Sequence, residues 1–430
     1  MSACHSEPAI LHATLAVAGA HKAYCDKQSP KSEMASIDAN LAASTYLHYQ
    51  KALFYLKRRI AVPNPEQPEI VLIVCLILMT FDMIEGRYGE ALFHFTHGRR
   101  IVKDLSNSNS SDSHVPLSLP SVPTSTMDEI NYSFALMDIQ SVNFGSLKPH
   151  FKLVADTSPD SSPHLEIPDT FANFDDAWRH MLLLLNKCYR MFASINEMGS
   201  RKYELWENDL DFRTERSNFL ADVEKWKDTF DKSSFRTLSS SQSPRESKST
   251  LLRLHHLTLN ICIRAPINLG DEMCFDAFVH EFSALVDLCE ELLPSLPTIT
   301  IETGIIQPLF LTGCLCRHPN IRRRLIRLLS RPRKEGHWDS KLIEIVSRER
   351  MIFEEELAGY VHNAAQPIAD DIDLAQLIPR EARWSESWMF FVKEDYSMIE
   401  ITFRRRKLHP HLLLEGEDDH ETRKKLVSLT

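Results

Sequence analysis

Arg317–Ser340 reads RHPNIRRRLIRLLSRPRKEGHWDS, a run of cations threaded by leucines that stops at Pro332 and Gly336. At 3.6 residues per turn, Ile321, Leu325, Leu328 and Leu329 share one stripe, with Arg323, Arg324, Arg327 and Arg331 opposite. The pattern predicts an amphipathic helix with its apolar stripe in a core and a cationic exterior. Beyond the break, Asp339 is placed to cap a second helix, and Trp338, one position earlier, to staple onto Ile343. That second helix would bury Leu342, Ile345, Val346, Phe353 and Leu357. A structural corner of Gly336, Trp338 and Asp339 between two such helices needs a larger helical body to receive both apolar faces.

Between Ile321 and Lys334 stand seven cations, Arg322, Arg323, Arg324, Arg327, Arg331, Arg333 and Lys334, and no acid. Three readings compete for them. The favoured one is a solvated face whose arginines pair with acids such as Glu335, Glu354 and Glu355, the commonest fate of a charge run. A nuclear-import or basic surface patch comes next. Direct phosphate contact comes last, because no interleaved aromatics or separate basic arm accompany the run.

The rest of the chain supplies the helical body. Its 430 residues can bury one large or two moderate cores, and 12 glycines argue against turn-rich sheet folds and glycine phosphate loops. A net charge of −10, with 25% charged and 43% hydrophobic residues, lacks the global positive field of nonspecific nucleic-acid binding. The nine cysteines are scattered in apolar helical contexts and read as reduced, buried thiols of an intracellular protein. SACHSEPAILHATLAVAGAH has no basic start and does not read as a secretory leader. The longest apolar run, IVLIVCLILMTF from Ile70 to Phe81, falls short of the ~20 residues that cross a bilayer and reads as a buried helix.

Three Ser/Pro/Asp-rich segments, starting at Ser106, Ala155 and Asp231, cannot bury enough apolar surface to offset ordering and read as loops. They divide the chain into an N-terminal helical part (1–105), a loop region with short helices (106–170), a second helical part (171–407) and a charged tail (408–430). In the first part Leu41, Thr45, His48, Ala52, Leu56 and Ile60 form a helical stripe, which Pro63, Pro65 and Pro68 are expected to end. YQKALFYL from Tyr49 and YGEALFHF from Tyr88 echo each other 39 residues apart. Such a spacing suits helical-hairpin repeats, and equally suits two helices that each need Ala at a tight crossing.

LLRLHHLTLNICIRAP sets Leu251, Leu254, His255, Thr258, Ile261 and Cys262 on one face and Leu252, Leu259 and Ile263 on another. That helix is predicted to be buried nearly all round, at the centre of the core. In MIEITFR, Ile399, Ile401 and Phe403 alternate with polar residues, which predicts one strand or a small terminal hairpin. The fold class is therefore all-α, a multi-helix bundle or helical-hairpin array, with a possible terminal β-hairpin.

Local signatures of acyl transfer, nucleotide binding and zinc hydrolysis are missing: no GxSxG, GxxxxGK[ST], GxGxxG or HExxH occurs. Asp175-Asp176 and NDLDFRTE fit a magnesium-binding aspartate helix poorly. Cys314, Cys316 and His318 lack a second ligand pair, and His94, His97, His255 and His256 read as packed histidines. No catalytic residue, cofactor or metal is nominated, and the chain is expected not to be an enzyme. PIADDIDLAQLI, from Pro367, reads as a loop entering a helix, with co-activator contact as its functional alternative.

CRHPNIRRRLIRLLSRPRKEGHWDS resembles a run of Cys, Arg, a Leu-Leu pair and Arg-Glu-Gly-x-Trp-Asp in the helical regulatory domain of fungal binuclear-zinc-cluster transcription factors. ILHATLAVAGAH, YLHYQKALFYL and GRYGEALFHFTHGRRIV extend the likeness from about Ile10 to about Phe403. The resemblance implies an all-helical regulatory bundle, acting in nuclear control of metabolic genes through dimers or co-regulators. That family's DNA-reading module needs six cysteines in CxxC-type pairs, and before residue 30 only Cys4 and Cys25 occur. The expectation is a regulatory module that works through a DNA-bound protein partner, without sequence-specific DNA binding of its own and without a membrane. An all-helical enzyme with a site of scattered residues, or a helical-repeat scaffold, are the alternatives.

Overall fold

The Ile70–Phe81 run lies within a buried helix, around which the first part of the molecule assembles. The computed structural model describes residues 7–28, 39–61, 67–107, 116–120, 122–142, 148–155, 165–197, 210–233, 235, 244–265, 272–363, 372–392, 397–406 and 420–429. Helices α1 (Pro8–Lys27) and α2 (Ala39–Ile60) pair and pack on α3 (Gln67–Glu85), and α4 (Tyr88–Asn107) pairs with α3 in turn. Ala9 and Ala13 of α1 share a core with Ala52 and Leu56 of α2 and Val71, Val74 and Leu78 of α3. Small residues let the backbones approach: a Cβ on Gly19 would collide with the Thr45 side chain.

Thr45, Ala52 and Leu56 of the predicted stripe are buried, whereas Ile60 is exposed. His12 meets His48 and Tyr55 while Gly19 meets Thr45, so the helices run antiparallel and α2 ends beyond the start of α1. Pro68 does not end α2. It stands in the first turn of α3, where its missing N–H has no intrahelical partner to lose. Pro63 and Pro65 lie outside the described residues. The echoed motif is one packing solution used twice: Ala52 and Ala91 are buried, while Leu53, Phe54, Leu92 and Phe93 face outward.

Helices α5 (Thr126–Ser141), α6 (Phe174–Glu197), α7 (Leu210–Lys232) and α8 (Pro244–Arg264) follow. Ser125 and Asp128 close a capping box at the start of α5. α8 bridges two cores along the two faces read from its sequence. Leu252, Leu259 and Ile263 join Phe134, Leu184 and Trp226 in the first core. Leu254 and Ile261 join Leu285, Leu309, Leu325 and Trp338 in the second. The second core is closed by α9 (Val279–Leu292), α10 (Ile306–Leu315), α11 (Pro319–Leu329) and α12 (Ser340–Leu357). A short α13 (Leu374–Leu377) is capped by Asp373, so this end of the acidic stretch does enter a helix; residues 367–371 lie outside the described residues.

Thirteen α-helices, with few and small strands, make the fold all-α among the described residues. β1 (Pro116–Ser118), inside the first predicted loop, pairs in parallel with β2 (Lys152–Val154), which ends just before the second. β3 (Ile299–Thr300), β4 (Lys334–Glu335) and β5 (Trp338–Asp339) form the corner. β6 (Glu386–Phe391), β7 (Met398–Arg406) and β8 (His420–Ser428) form an antiparallel sheet with Ile401 opposite Met389 and Lys425. The predicted alternation holds: Ile399, Ile401 and Phe403 bury one face of β7 against Val346 and Trp384. Part of the charged tail supplies the third strand. No helix among the described residues is long and apolar enough to cross a membrane.

Candidate functional site

On α11 the leucine stripe packs as its spacing requires, with Ile321, Leu325, Leu328 and Leu329 buried. After Arg331 and Pro332 the chain makes a two-stranded turn, β4–β5, whose crossing residue Gly336 has φ +55°. Lys334 N and Gly336 N donate to Thr298 O and Thr300 O, each at 2.8 Å, which fixes the turn against β3. Gln140 of α5 closes it from above: its Oε1 accepts from His337 N at 3.0 Å and its Nε2 donates to Ile301 O at 3.1 Å. A Cβ on Gly336 would collide with the Gln140 amide. Gly336→Ala, strained in backbone and in space, is expected to lower the unfolding free energy by about 1–3 kcal/mol, read from urea denaturation.

Each charged side chain of the corner has a defined partner. The Glu335 carboxylate, fully buried, accepts from Gly304 N, Ile305 N and Ile306 N at 3.1, 3.2 and 2.8 Å. It therefore sits as an anion on the N-terminus of α10, where the orphan amides and the helix dipole favour negative charge. Arg333 lies 2.9 Å from it and donates to Pro297 O at 2.7 Å. Lys334 Nζ reaches back to Met83 O at 2.8 Å and lies 2.7 Å from Asp339. Tyr88 at the start of α4 donates to the same carboxylate at 2.6 Å. Burial alone would raise the Asp339 pKa; Lys334 and the Tyr88 hydroxyl outweigh it and hold the carboxyl below its ordinary range. Asp339 also accepts from Lys341 N, capping α12, and Trp338 is buried in the second core with Ile343 and against Phe310.

The seven cations do not make one basic surface. Arg322, Arg333 and Lys334 are buried, which removes them from any exposed patch. Arg322 pairs with the buried Glu354, Arg323 grips Glu355 through two bonds of 2.8 and 2.7 Å, and Arg324 meets Asp287 and Glu290. Arg327 and Arg331 alone of the seven face solvent without an ion pair among the described residues. The reason is that α11 lies between acidic faces of α9 and α12, so its polar side meets carboxylates rather than open water. Of the residues expected to be buried on α12, Leu342 and Val346 are, whereas Leu357 is exposed in the last turn.

Glu354 is the centre of a larger cluster that the sequence did not announce. Its Oε1 accepts from Arg317 Nη2 and from Trp384 N, each at 3.0 Å, and Arg350 lies 3.4 Å away. Arg317 also donates to the carbonyls of Cys314 and Leu315 and lies 3.0 Å from Glu272. Three buried guanidiniums thus converge on one carboxylate beneath the terminal sheet. Cys316 and His318 are buried beside them, and no group of three or more His, Cys, Asp or Glu that could hold a metal occurs among the described residues.

The model of a family described as fungal specific transcription factor domain matches residues 1–335. No curated protein and no solved structure matches the chain.

Proposed function

The chain belongs to the fungal specific transcription factor domain family, and we propose that it is a nuclear regulatory module that acts by protein contacts, with DNA reached through a partner. Membership carries a transcription-regulator-like role, and the family is one of transcription factor domains rather than of enzymes. What supports the finer reading is the fate of the cations. Backbone binding to DNA needs lysines and arginines free to displace counterions. In the densest basic run of this chain five of seven are engaged by Glu354, Glu355, Asp287, Glu290, Glu335 and Asp339. The partner is a DNA-bound regulator, a co-regulator or a second copy, and the genes controlled are metabolic, including those of secondary metabolism.

Tethering the full chain to a heterologous DNA-binding domain tests the reading. A reporter should change its transcription, and the untethered purified chain should leave duplex DNA unshifted at physiological salt. An inert tethered chain, or tight salt-sensitive DNA binding by the purified one, would overturn it.

A further inference from the structure

The outer surface of the α1–α2 pair carries apolar side chains where a surface helix ordinarily carries polar ones. Opposite its buried stripe, α2 presents Leu47 and Phe54, which are 49% and 55% exposed. α1 adds Leu11 and Leu15, 38% and 40% exposed. The contacts of His12 with His48 and Tyr55 set the register of the antiparallel pair. They bring Leu11 and Leu15 level with the Leu47–Phe54 stretch, but Leu47 and Phe54 lie opposite the Thr45–Ala52–Leu56 stripe that packs on α1, so they form an apolar face of α2 that points away from it.

The charge around this face is opposite to that of the molecule. α2 contains Lys51, Lys57, Arg58 and Arg59 and no acid, in a chain of net charge −10. Arg59 is 3.5 Å from Glu7, whereas Lys51, Lys57 and Arg58 make no ion pair among the described residues. Arg58 lies over the Phe54 ring at 5.6 Å, which joins the cationic rim to the apolar floor. On α11 Arg322, Arg323 and Arg324 found acids within the fold; on α2 Lys51, Lys57 and Arg58 did not. A nucleic acid would use this rim but leave the leucines wet. An apolar stripe flanked by acids would satisfy both.

We propose that the outer face of α2 docks an acidic amphipathic helix of a partner protein. The helix lays side chains at i, i+3, i+4 and i+7 along Leu47 and Phe54, and its flanking carboxylates meet Lys51, Lys57 and Arg58. This rests on the reading of the chain as a protein-contact module and names the chemistry of one partner.

Fluorescence anisotropy with the full chain tests it. The probe is a synthetic helix of leucines at that spacing with glutamates elsewhere, beside a counterpart carrying lysines. The glutamate helix should bind saturably, more weakly as salt rises, and at least about tenfold more weakly to Phe54→Glu. Phe54 is exposed, and an unchanged circular dichroism spectrum checks that the variant folds. Combining Lys51→Glu with Arg58→Glu should transfer preference to the lysine helix. Equal binding of both helices to the natural chain, or unchanged binding to Phe54→Glu, overturns the proposal. So does a face occupied instead by duplex DNA, anionic vesicles or a second copy, each recognised as binding or dimerisation lost in Phe54→Glu. Peptide binding with an inert tethered reporter sinks the transcriptional reading alone; an active reporter without peptide binding sinks the docking site alone.

Discussion

Glu354→Ala is expected to destabilise the protein by about 3–5 kcal/mol, because it leaves buried guanidiniums without their shared counter-charge. Arg317, Arg322 and Arg350 all turn toward this one carboxylate, and the side chains of all four residues are essentially inaccessible to water. Urea denaturation followed by circular dichroism reads the loss, as a lower midpoint at unchanged slope. Glu354→Gln, which keeps the shape and one acceptor but not the charge, should fall between the two. A loss within about 0.5 kcal/mol, the scale of an ordinary surface substitution, would refute this account of the cluster. The same group predicts an acid limb. Burial by itself would raise the Glu354 pKa, and the three arginines more than reverse it, so the carboxyl titrates below its ordinary range in the fold. A depressed folded pKa contributes stability that is complete above the unfolded value, about 4.3, and is lost as pH falls below it. Glu354→Gln should therefore remove part of the pH dependence in that window.

Glu335→Ala is the second large effect, about 3 kcal/mol or more, and its cause is different. Here a side chain from one strand satisfies three backbone amides at the head of α10 while neutralising Arg333. Alanine leaves the three amides buried and unpartnered and strips Arg333 of its counter-charge. The signature is local as well as global: amide exchange at Gly304, Ile305 and Ile306 should accelerate ahead of the rest of α10. Uniform exchange through the helix would mean that the carboxylate contributes to stability without holding this terminus.

What the sequence disclosed follows from how burial writes itself into a chain. A helix with one or two faces in a core must repeat apolar residues at helical spacing. The stripes on α11, both faces of α8 and the alternation on β7 could therefore be read in advance. Asp339 and Trp338 were equally readable, because capping and stapling are local. Partner choice leaves no such period. Gln140, Tyr88, Arg317 and Trp384 are single polar or aromatic residues drawn from distant segments, and only the tertiary fold brings them to the corner and to Glu354. The basic run was readable as to its partners and not as to its burial: Arg322, Arg323 and Arg333 do pair with Glu354, Glu355 and Glu335, but Arg322, Arg333 and Lys334 lie inside the fold rather than on a solvated face, and the pairing of Arg324 with Asp287 and Glu290 upstream left no trace along the run.

Lys334 binds the carbonyl of Met83, made 251 residues earlier, while Arg317 and Arg322 wait for a Glu354 made more than thirty residues later. During translation both guanidiniums are therefore synthesised before the acid that neutralises them. Final locking of the early helices is deferred until the corner emerges. Such an order favours assembly near the end of synthesis over stepwise folding from the N-terminus, and exposes a late intermediate to chaperones.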